Sequence, residues 1–358
     1  METRKIQRVG NSSGAICLPY KWLSRTRLKH GDLVSIFEED DGSIRIYPGI
    51  IQQSKKLGTT AKINISKFNL KERDLTRVIV GCYIVGHDII NLESDKDFEA
   101  EQYNEIWKIV QRIMGIFIIE SLPKKIILQC FIDSTKFTVR EMISRLQNIT
   151  ITMLEESMRS FITGDADKAT EVLKLGDDKD KIYYLAVRQI LQASTAWRIL
   201  HTREKKEPPM HIVGSRVIVK DLEEIGDSTE NIASETLNMV KYKRYKSSVA
   251  KIDGNLYQSL VKEIITNLSQ SVESLQKEDF KIATEVLNKC EEIKKRLQKS
   301  VKQFLDDAPN DKIFIYSMTI VHSNLMEINK RIKAIAEVAI NRLLETSSQV
   351  CTVTIEKE

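Results

Sequence analysis

The feature that most constrains the fold is an internal repeat in the C-terminal part of the chain. The letters ATEVL at residues 169–173 recur at residues 283–287, and two acidic residues follow each copy. A second echo, in the same order, pairs LEEI at residues 222–225 with LMEI at residues 325–328. Across this region apolar residues recur at three- and four-residue spacing, which is the pattern of amphipathic helices. The sequence therefore predicts two related three-helix bundles, at residues 138–240 and 255–345.

The first 48 residues have a different pattern and are predicted to form a separate small domain. Short alternating stretches, the turn at residues 10–14 and a hairpin whose turn contains Asp41-Gly42 predict strands around one short helix. A unit this small buries too little apolar surface to be stable alone, so it should dimerise or pack against a neighbouring part of the chain. Its charge is also distinctive: the first thirty residues hold seven cations and one acid, whereas the whole chain has a formal net charge of +5.

Residues 49–135 connect these two regions. We predict a linker at residues 49–70, with some strand character at residues 61–65, followed by a small α/β connecting domain at residues 71–135. In that domain the pattern indicates helices at about residues 71–85 and 97–114. Strands are predicted at residues 88–92, 116–119 and 125–131. The expected fold class is thus α+β and multidomain.

Composition and missing motifs exclude several classes of protein. The five cysteines are scattered and never spaced as CxxC, which argues against a zinc ribbon or a disulfide framework and fits a reducing cytosol. The chain opens without a signal-peptide pattern, and no uninterrupted apolar run approaches the roughly 20 residues of a membrane helix. We therefore expect a cytoplasmic protein that is not embedded in a membrane. No nucleophile elbow, P-loop or HExxH motif is present, so we do not expect an enzyme.

Acidic residues in the first predicted bundle form a candidate metal site. Glu223 and Asp227 are four residues apart and therefore share one helix face, with Gly226 between them as a sign of a close neighbour. Asp177 and Asp180 lie on the preceding predicted helix, and packing of the two helices would bring these carboxylates together. Oxygen ligands of this kind suit a divalent or ferric metal ion. The alternative interpretation is a solvated acidic face.

The second bundle lacks the same acids. Met326 and Lys330 stand at the positions of Glu223 and Asp227, and Glu291 and Glu292 remain on the adjoining helix. The metal site is therefore predicted in the first bundle alone, with Lys330 neutralising those glutamates in the second.

The N-terminal domain resembles DNA-binding domains of the AbrB/SpoVT type. The resemblance is carried by RKIQRVGNSS at residues 4–13, LPYKWL at residues 18–23 and LKHGDLV at residues 28–34. It implies an intertwined homodimer, in which swapped hairpins of both chains build one β-barrel that binds double-stranded DNA. Most of the contacts would be to phosphates. The candidate DNA-contacting residues are Arg4, Lys5, Arg8, Lys21 and Arg25.

The helical region is similar to PhoU-type proteins. LEEIGDSTENIA at residues 222–233 resembles the family's (E/D)xxxD helix, and DDKDKIYY at residues 177–184 resembles its partner helix. Gly176 departs from the pattern, since it occupies the first acidic position of the motif that ends at Asp180. The resemblance implies metal binding through Asp177, Asp180, Glu223 and Asp227. It also implies a role in phosphate signalling beside a phosphate transporter.

An archaeal group of phosphate-uptake regulators joins both kinds of domain, and the chain resembles this group. The resemblance implies a transcription regulator whose helical body senses or relays phosphate status to the DNA-binding module. Two alternatives stay open. One is an accessory protein that docks on a cytosolic subunit of a phosphate or other ion transporter, with the β module serving to dimerise. The other is a metal-dependent hydrolase built on the bundle carboxylates.

Overall fold

A computed structural model describes most of the chain. The described residues are 3–10, 13–38, 43–49, 59–67, 74–132, 137–199, 209–242, 245–250, 253–307, 311–345 and 350–352. The chain divides into two compact units. The first comprises Met1–Leu57 with Arg198–Lys205, and the second comprises Gly58–Trp197 with Lys206–Glu358.

The first unit is built from two short antiparallel hairpins and one helix. Strands β1 (Gln7–Val9) and β2 (Ser13–Ala15) pair with each other, and helix α1 (Tyr20–Thr26) follows. Strands β3 (Val34–Glu38) and β4 (Ile44–Pro48) form the second hairpin, with Ile36 opposite Ile46. The predicted turn Asp41-Gly42 lies outside the described residues.

No side chain is buried among those described in this unit. Large apolar residues are exposed instead, including Ile6 at 77%, Tyr20 at 81% and Ile44 at 65%. The described part of this unit therefore has no buried core, and the hydrophobic stabilisation of a domain comes from apolar surface removed from water.

The second unit begins with a four-stranded sheet covered by two helices. In chain order the elements are β5 (Thr60–Asn64), α2 (Asp74–Val85), β6 (Ile89–Glu93), α3 (Ala100–Arg112), β7 (Ile116–Leu122) and β8 (Lys125–Cys130). The strand order is β5-β6-β8-β7, and β5 runs parallel to β6 whereas the other neighbours are antiparallel. One face is buried, with Leu92 and Leu128 of the sheet in the same apolar cluster as Ile79 of α2 and Ile106 of α3.

Strand β5 corrects the predicted linker. Its five residues pair with β6 over the full register from Thr60 opposite Ile89 to Asn64 opposite Glu93. The strand character predicted at residues 61–65 is confirmed, but these residues belong to the sheet and not to a linker. The pairing was not predicted because β5 pairs with a strand beyond helix α2, and a non-local parallel pairing leaves no short-range signal in the sequence.

The rest of the second unit is helical. Its helices are α4 (Val139–Thr163), α5 (Ala166–Ile199), α6 (Pro209–Val240), the short α7 (Tyr245–Val249), α8 (Gly254–Lys277), α9 (Phe280–Asp307) and α10 (Lys312–Leu344). Thr138 begins α4 with a capping box, and Gly164 ends it in the left-handed conformation. Asp253 and Asp311 cap the starts of α8 and α10.

The structure confirms the internal repeat. The echoed apolar residues are buried in both copies, as Val172 and Val286 show, and as Leu222 and Leu325 show. Helices α4 and α8 also share a serine pair: Ser157 and Ser160 bond to backbone carbonyls three residues earlier, as Ser271 and Ser274 do. Because α6 packs along α10 and α4 packs on α8, the two bundles share one hydrophobic core.

A buried arginine joins the sheet to the helices. Arg188 of α5 donates to the backbone oxygens of Tyr83 at 2.6 Å and His87 at 2.9 Å, and it pairs with Asp88 at 3.0 Å. The guanidinium also lies over the ring of Tyr83, 5.0 Å from its centroid. It therefore supplies donors to backbone oxygens at and just beyond the end of α2, of which the Tyr83 oxygen also accepts from the N–H of Gly86 at 3.1 Å.

Candidate functional site

Three carboxylates from α5 and α6 converge in the first bundle. Glu223 and Asp227 lie one turn apart on α6, and Asp180 reaches them from α5. One oxygen of each lies within 4.8 Å of the others, and all three side chains are partly buried. The structure thus brings together three of the four predicted metal ligands. The fourth, Asp177, is not in this group and binds Arg112 at 3.0 Å instead.

A buried lysine lies among these acids. The side chain of Lys179 is fully buried, and its ammonium donates to Asp227 and, at 2.8 Å, to Glu230. Oδ1 of Asp180 is 3.5 Å away. Burial alone would lower the pKa of Lys179, but the hydrogen bonds to Asp227 and Glu230 outweigh it and hold the pKa well above its usual value. Lys179 is therefore a charged internal counter-ion of the site.

Two glycines make room for this arrangement. A Cβ atom at Gly226 would lie 2.3 Å from Cδ of Lys179, and one at Gly176 would lie 2.4 Å from Oε1 of Glu230. Neither distance is sterically possible without movement. The close neighbour predicted at Gly226 is thus Lys179, and Gly176 leaves space for the carboxylate of Glu230.

Two further cations border the carboxylates. Arg112, at the end of α3, binds Asp180 at 3.0 Å, and Lys220 binds Glu223 at 2.5 Å. Burial raises the pKa of Glu223 in spite of its bond to Lys220, and burial likewise raises the pKa of Glu230. Burial therefore makes both carboxyl groups easier to protonate than exposed ones, and a nearby positive charge would favour their ionised forms.

The charge balance fits a single added cation. Five carboxylates face three protein cations, and one of these cations, Lys220, is shared with a sixth carboxylate, Glu224, at 2.6 Å. The ionised cluster therefore carries a surplus of negative charge. The carboxylates are Asp177, Asp180, Glu223, Asp227 and Glu230, and the cations are Arg112, Lys179 and Lys220. Carboxylate oxygens are suitable ligands for a hard divalent ion. A cluster of several metal ions fits less well, because Lys179 fills the interior of the site.

The second bundle does not neutralise its glutamates as predicted. Lys330 lies 3.5 Å from Glu327, one turn away on its own helix. Glu291 binds Lys333 at 3.2 Å, and Glu292 binds Lys289 at 3.0 Å. The prediction that Lys330 neutralises Glu291 and Glu292 is therefore wrong.

The five candidate DNA-contacting residues all lie on the surface of the first unit. Arg8 is in β1, and its Nε donates to the backbone oxygen of Gly10 at 3.3 Å. Lys21 and Arg25 are one turn apart on α1. Arg4 and Lys5 precede β1, and all five side chains are exposed.

Sequence reasoning missed Lys179, Glu230, Arg112 and Lys220. A signal for Lys179 was present in the repeat. The register of ATEVL places Lys179 at the position of Ile293, which is a fully buried apolar residue. A lysine at a core position needs a buried polar partner, so an apolar residue at the equivalent position of the other copy is a sign that Lys179 has one.

Comparison with known proteins finds a related family for the helical region and another for the N-terminal region. Residues 143–236 match the family model of the PhoU domain, and residues 7–55 match that of the antidote-toxin recognition domain MazE, a bacterial antitoxin. The chain is also similar to the crystal structure of PhoU from Pseudomonas aeruginosa, at 13% identity and a TM-score of 0.49 over 56% of this chain and 93% of that one. No curated protein matches significantly. Within the described residues, no helix is long and apolar enough to cross a membrane. The chain thus joins an N-terminal domain similar to the MazE/AbrB type to a PhoU-like helical body.

Proposed function

We propose that the protein is a cytoplasmic DNA-binding regulator of phosphate uptake, in which the PhoU-like body senses or relays phosphate status to a dimeric N-terminal module. The observation that carries this proposal is the presence, in one chain, of a match to the PhoU domain and a match to an antitoxin-type domain. This is the combination that the resemblance to archaeal phosphate-uptake regulators leads us to expect. The proposed role is regulatory rather than catalytic.

Dimerisation is supported by the exposed apolar surface of the first unit. Its described residues include no buried side chain, while Ile6, Ile36 and Ile44 are each more than half exposed. Patches of this kind are stabilised by burial against a partner. A second copy of the same module is the partner we propose, since closed pairs of identical chains are the commonest assemblies.

DNA binding is supported by the charge of the same unit. Five exposed cations lie on β1, α1 and the segment before β1, and the described residues of this region before Asp32 include no acid. Lysine and arginine on such a surface bind phosphates by releasing condensed counterions, so affinity should fall steeply with salt. We propose Arg4, Lys5, Arg8, Lys21 and Arg25 as the residues concerned.

The proposed metal site consists of Asp180, Glu223 and Asp227. Asp177 lies beside it, because Arg112 binds both Asp177 and Asp180. These residues would hold one divalent or ferric ion. The ion would supply positive charge between α5 and α6, where the carboxylates outnumber the protein cations. Lys179 keeps its bonds to Asp227 and Glu230 and limits the space for a second ion.

Fluorescence anisotropy of the full-length protein tests the main proposal. The ligands are a duplex from upstream of the phosphate-transporter genes of the same genome and a scrambled duplex, each over a series of salt concentrations. The variant Arg4→Gln/Lys5→Gln/Arg8→Gln should lose affinity for the native duplex by a factor of about ten or more. The control Lys262→Gln/Lys281→Gln/Lys312→Gln removes the same charge from the helical body and should bind like wild type. Equal affinity of the first variant and wild type would overturn DNA recognition by this surface.

A second candidate function is an accessory protein that docks on a phosphate-transporter subunit. It is favoured by the match of residues 143–236 to the PhoU domain, which is independent of the basic module. The same variant separates the two functions. Neutralising Arg4, Lys5 and Arg8 should abolish regulation through DNA but leave binding to a transporter subunit intact.

A further inference from the structure

A groove lies along helix α8 of the second bundle, where this helix faces α9. Its volume is about 600 Å³. One side of α8 supplies most of the lining, and Glu285 and Lys289 of α9 supply the other wall. The lining is polar, with carboxamide and hydroxyl groups and charges of both signs. Sites for small molecules usually have volumes of about 300–1,000 Å³, so the groove is large enough to hold one.

The internal repeat shows that this part of the second bundle has changed from apolar to polar. The serine pairs and the two copies of ATEVL are the same distance apart in sequence, residues 157 to 271 and 169 to 283, so α4 and α5 can be matched to α8 and α9 residue by residue. In this register Glu263, Asn267 and Lys289 take the places of Ile149, Met153 and Leu175. In the first bundle those three residues belong to one apolar cluster, in which Met153 is fully buried. The second bundle therefore has polar groups and a groove where the first has packed apolar side chains.

Asn267 lines the groove with an acceptor that has no partner. Its side chain is only 1% exposed, and its Nδ2 donates to the backbone oxygen of Val286 at 3.3 Å and to Sγ of Cys290 at 3.2 Å. Its Oδ1 is buried and accepts no hydrogen bond from the residues that the structure describes. Turning the amide over would place Oδ1 against the carbonyl oxygen of Val286, so the hydrogen bonds fix its orientation. A buried oxygen without a partner is destabilising, and a donor from a bound molecule would satisfy it.

The two walls of the groove offer one uncompensated charge of each sign. Lys262 of α8 and Glu285 of α9 are exposed, and within the described part of the chain neither has an ion-pair partner. The other two charges of the lining are already paired, since Lys289 lies 3.5 Å from Glu263. Glu285 would repel a simple anion and Lys262 would repel a simple cation. A ligand that carries both an ammonium group and a carboxylate complements both walls.

We propose that this groove binds a free α-amino acid. Its ammonium group has three donors, which serve Oδ1 of Asn267 and the carboxylate of Glu285, and its carboxylate accepts from Lys262. The volume of the groove leaves room for the ligand's side chain beside the carboxamide of Gln270. The site goes beyond the proposed function and depends neither on DNA binding nor on the carboxylates of the first bundle.

Ligand screening on the full-length protein tests the proposal. Each proteinogenic L-amino acid is added in turn while thermal unfolding is followed by scanning fluorimetry, and isothermal titration calorimetry then measures the affinity of those that act. At least one amino acid should raise the thermal midpoint, because a ligand that binds only the folded state stabilises it. Its N-acetyl and carboxamide derivatives each lack one of the two charges and should bind about tenfold more weakly or worse. A thermal midpoint unchanged by every amino acid, or equal affinity for the derivatives, would overturn the proposal.

A variant copied from the first bundle tests the site without disturbing the fold. Asn267→Met installs the residue found at the equivalent position 153 and removes the unpartnered oxygen, so it should be at least as stable as wild type in urea yet bind the amino acid at least tenfold more weakly. Lys262→Gln and Glu285→Gln change exposed residues and should each weaken binding about tenfold.

The matched control is Asn148→Met, which makes the same replacement at an exposed asparagine of the first bundle and should bind like wild type. Undiminished affinity of Asn267→Met would contradict the proposal and leave water as the partner of the buried oxygen. DNA affinity, measured without amino acid, should be the same for all four variants and wild type, so a failure of this site is distinguishable from a failure of DNA recognition.

Discussion

Helix α6 passes Lys179 closely because residue 226 has no side chain: a Cβ atom on Gly226 would lie 2.3 Å from Cδ of Lys179. The buried lysine and the helical glycine are therefore one arrangement. The glycine leaves a path along which the lysine reaches Asp227 and Glu230, on the same helix.

The substitution Gly226→Ala should destabilise the second unit. Alanine is intrinsically the better helix former by about 1 kcal/mol. Here the added methyl group overlaps the Lys179 side chain, and overpacking of this kind costs about 1–3 kcal/mol. We expect the midpoint of urea unfolding, followed by circular dichroism, to fall.

Gly81 provides the matched control for this substitution. It lies within α2, and a Cβ atom there would meet nothing within 4 Å. Gly81→Ala should therefore be neutral or stabilising by up to about 1 kcal/mol. If Gly226→Ala behaved like Gly81→Ala, the close packing of Lys179 against α6 would be wrong.

Removing the ammonium of Lys179 should destabilise the fold and make its stability depend on added cations. Removing one partner of a buried ion pair lowers the unfolding free energy by about 3–5 kcal/mol. Asp227 and Glu230 are partly exposed, so we expect a loss of about 2 kcal/mol for Lys179→Met. Magnesium or manganese should raise the thermal midpoint of this variant more than that of wild type, because the ion replaces the missing positive charge. Differential scanning fluorimetry measures both effects.

Two controls define the origin of the effect. Lys181→Met removes a lysine that binds Asp178 on the exposed surface, and should change stability by less than about 0.5 kcal/mol. Adding Asp227→Asn and Glu230→Gln to Lys179→Met should restore part of the stability and abolish the response to metal. A metal response that persists in this triple variant would place the cation elsewhere.

The salt dependence of DNA binding should report on Arg8. If this exposed side chain neutralises a phosphate, Arg8→Gln should make the slope of log affinity against log salt shallower by about 0.9. The weakening should be similar for native and scrambled duplexes, since phosphates carry no sequence information. Lys281→Gln, on the helical body, should leave the slope unchanged. A changed sequence preference with an unchanged slope would instead assign Arg8 to a base edge.

The helical part of the fold was readable from the sequence because its signals are local or repeated. The echoed letters mark residues that are buried in both bundles, and the four-residue spacing of Glu223 and Asp227 placed them on one helix face. The strand character of β5 was predicted, but its pairing with β6 was missed because that pairing spans a helix. Arg112 was missed for the same reason, since its partner Asp180 lies 68 residues away in sequence. Neither interaction leaves a periodic pattern.

Lys179 shows why residue type alone misleads. A lysine between aspartates in the letters DDKD is typical of a solvated helix face, yet the heptad-like register of α5 turns it inward. Burial there is tolerated because two carboxylates and two glycines converge on the same point. Those four residues are up to 54 positions from one another, so only the folded chain shows that they belong together.

Replacing Arg188 should weaken the attachment of the sheet to the helices. Its guanidinium is buried and satisfies the carbonyls of Tyr83 and His87 as well as Asp88. Arg188→Met removes a buried donor that these acceptors share, although the oxygen of Tyr83 still accepts from the N–H of Gly86 and Asp88 from the N–H of Thr59. We expect the unfolding free energy to fall by about 3 kcal/mol. Arg145→Met is the control, because Arg145 lies over Phe137 at the surface and its removal should cost less than about 1 kcal/mol. Equal destabilisation of the two variants would argue against a special role for Arg188.

A buried histidine should make the second unit less stable in mild acid. His322 of α10 contacts the hydroxyl of Tyr257 at 2.7 Å and the backbone oxygen of Met318 at 2.8 Å. Burial lowers the pKa of His322 below its usual 6.5, and this outweighs the bond to Met318. The folded state therefore binds fewer protons than the unfolded state at pH values just below 6.5.

The sign of the pH effect follows from that difference in bound protons. The stability tied to neutral His322 is complete above about pH 6.5 and is lost as the pH falls below it, by at most about 1.4 kcal/mol per pH unit. His322→Gln cannot be protonated and should flatten this part of the curve, measured by urea unfolding at several pH values. His30→Gln replaces an exposed histidine and should keep the wild-type dependence. Because acidic residues also titrate toward lower pH, the difference between wild type and His322→Gln is the quantity that decides. Parallel curves for the two proteins would show that His322 is not the residue responsible.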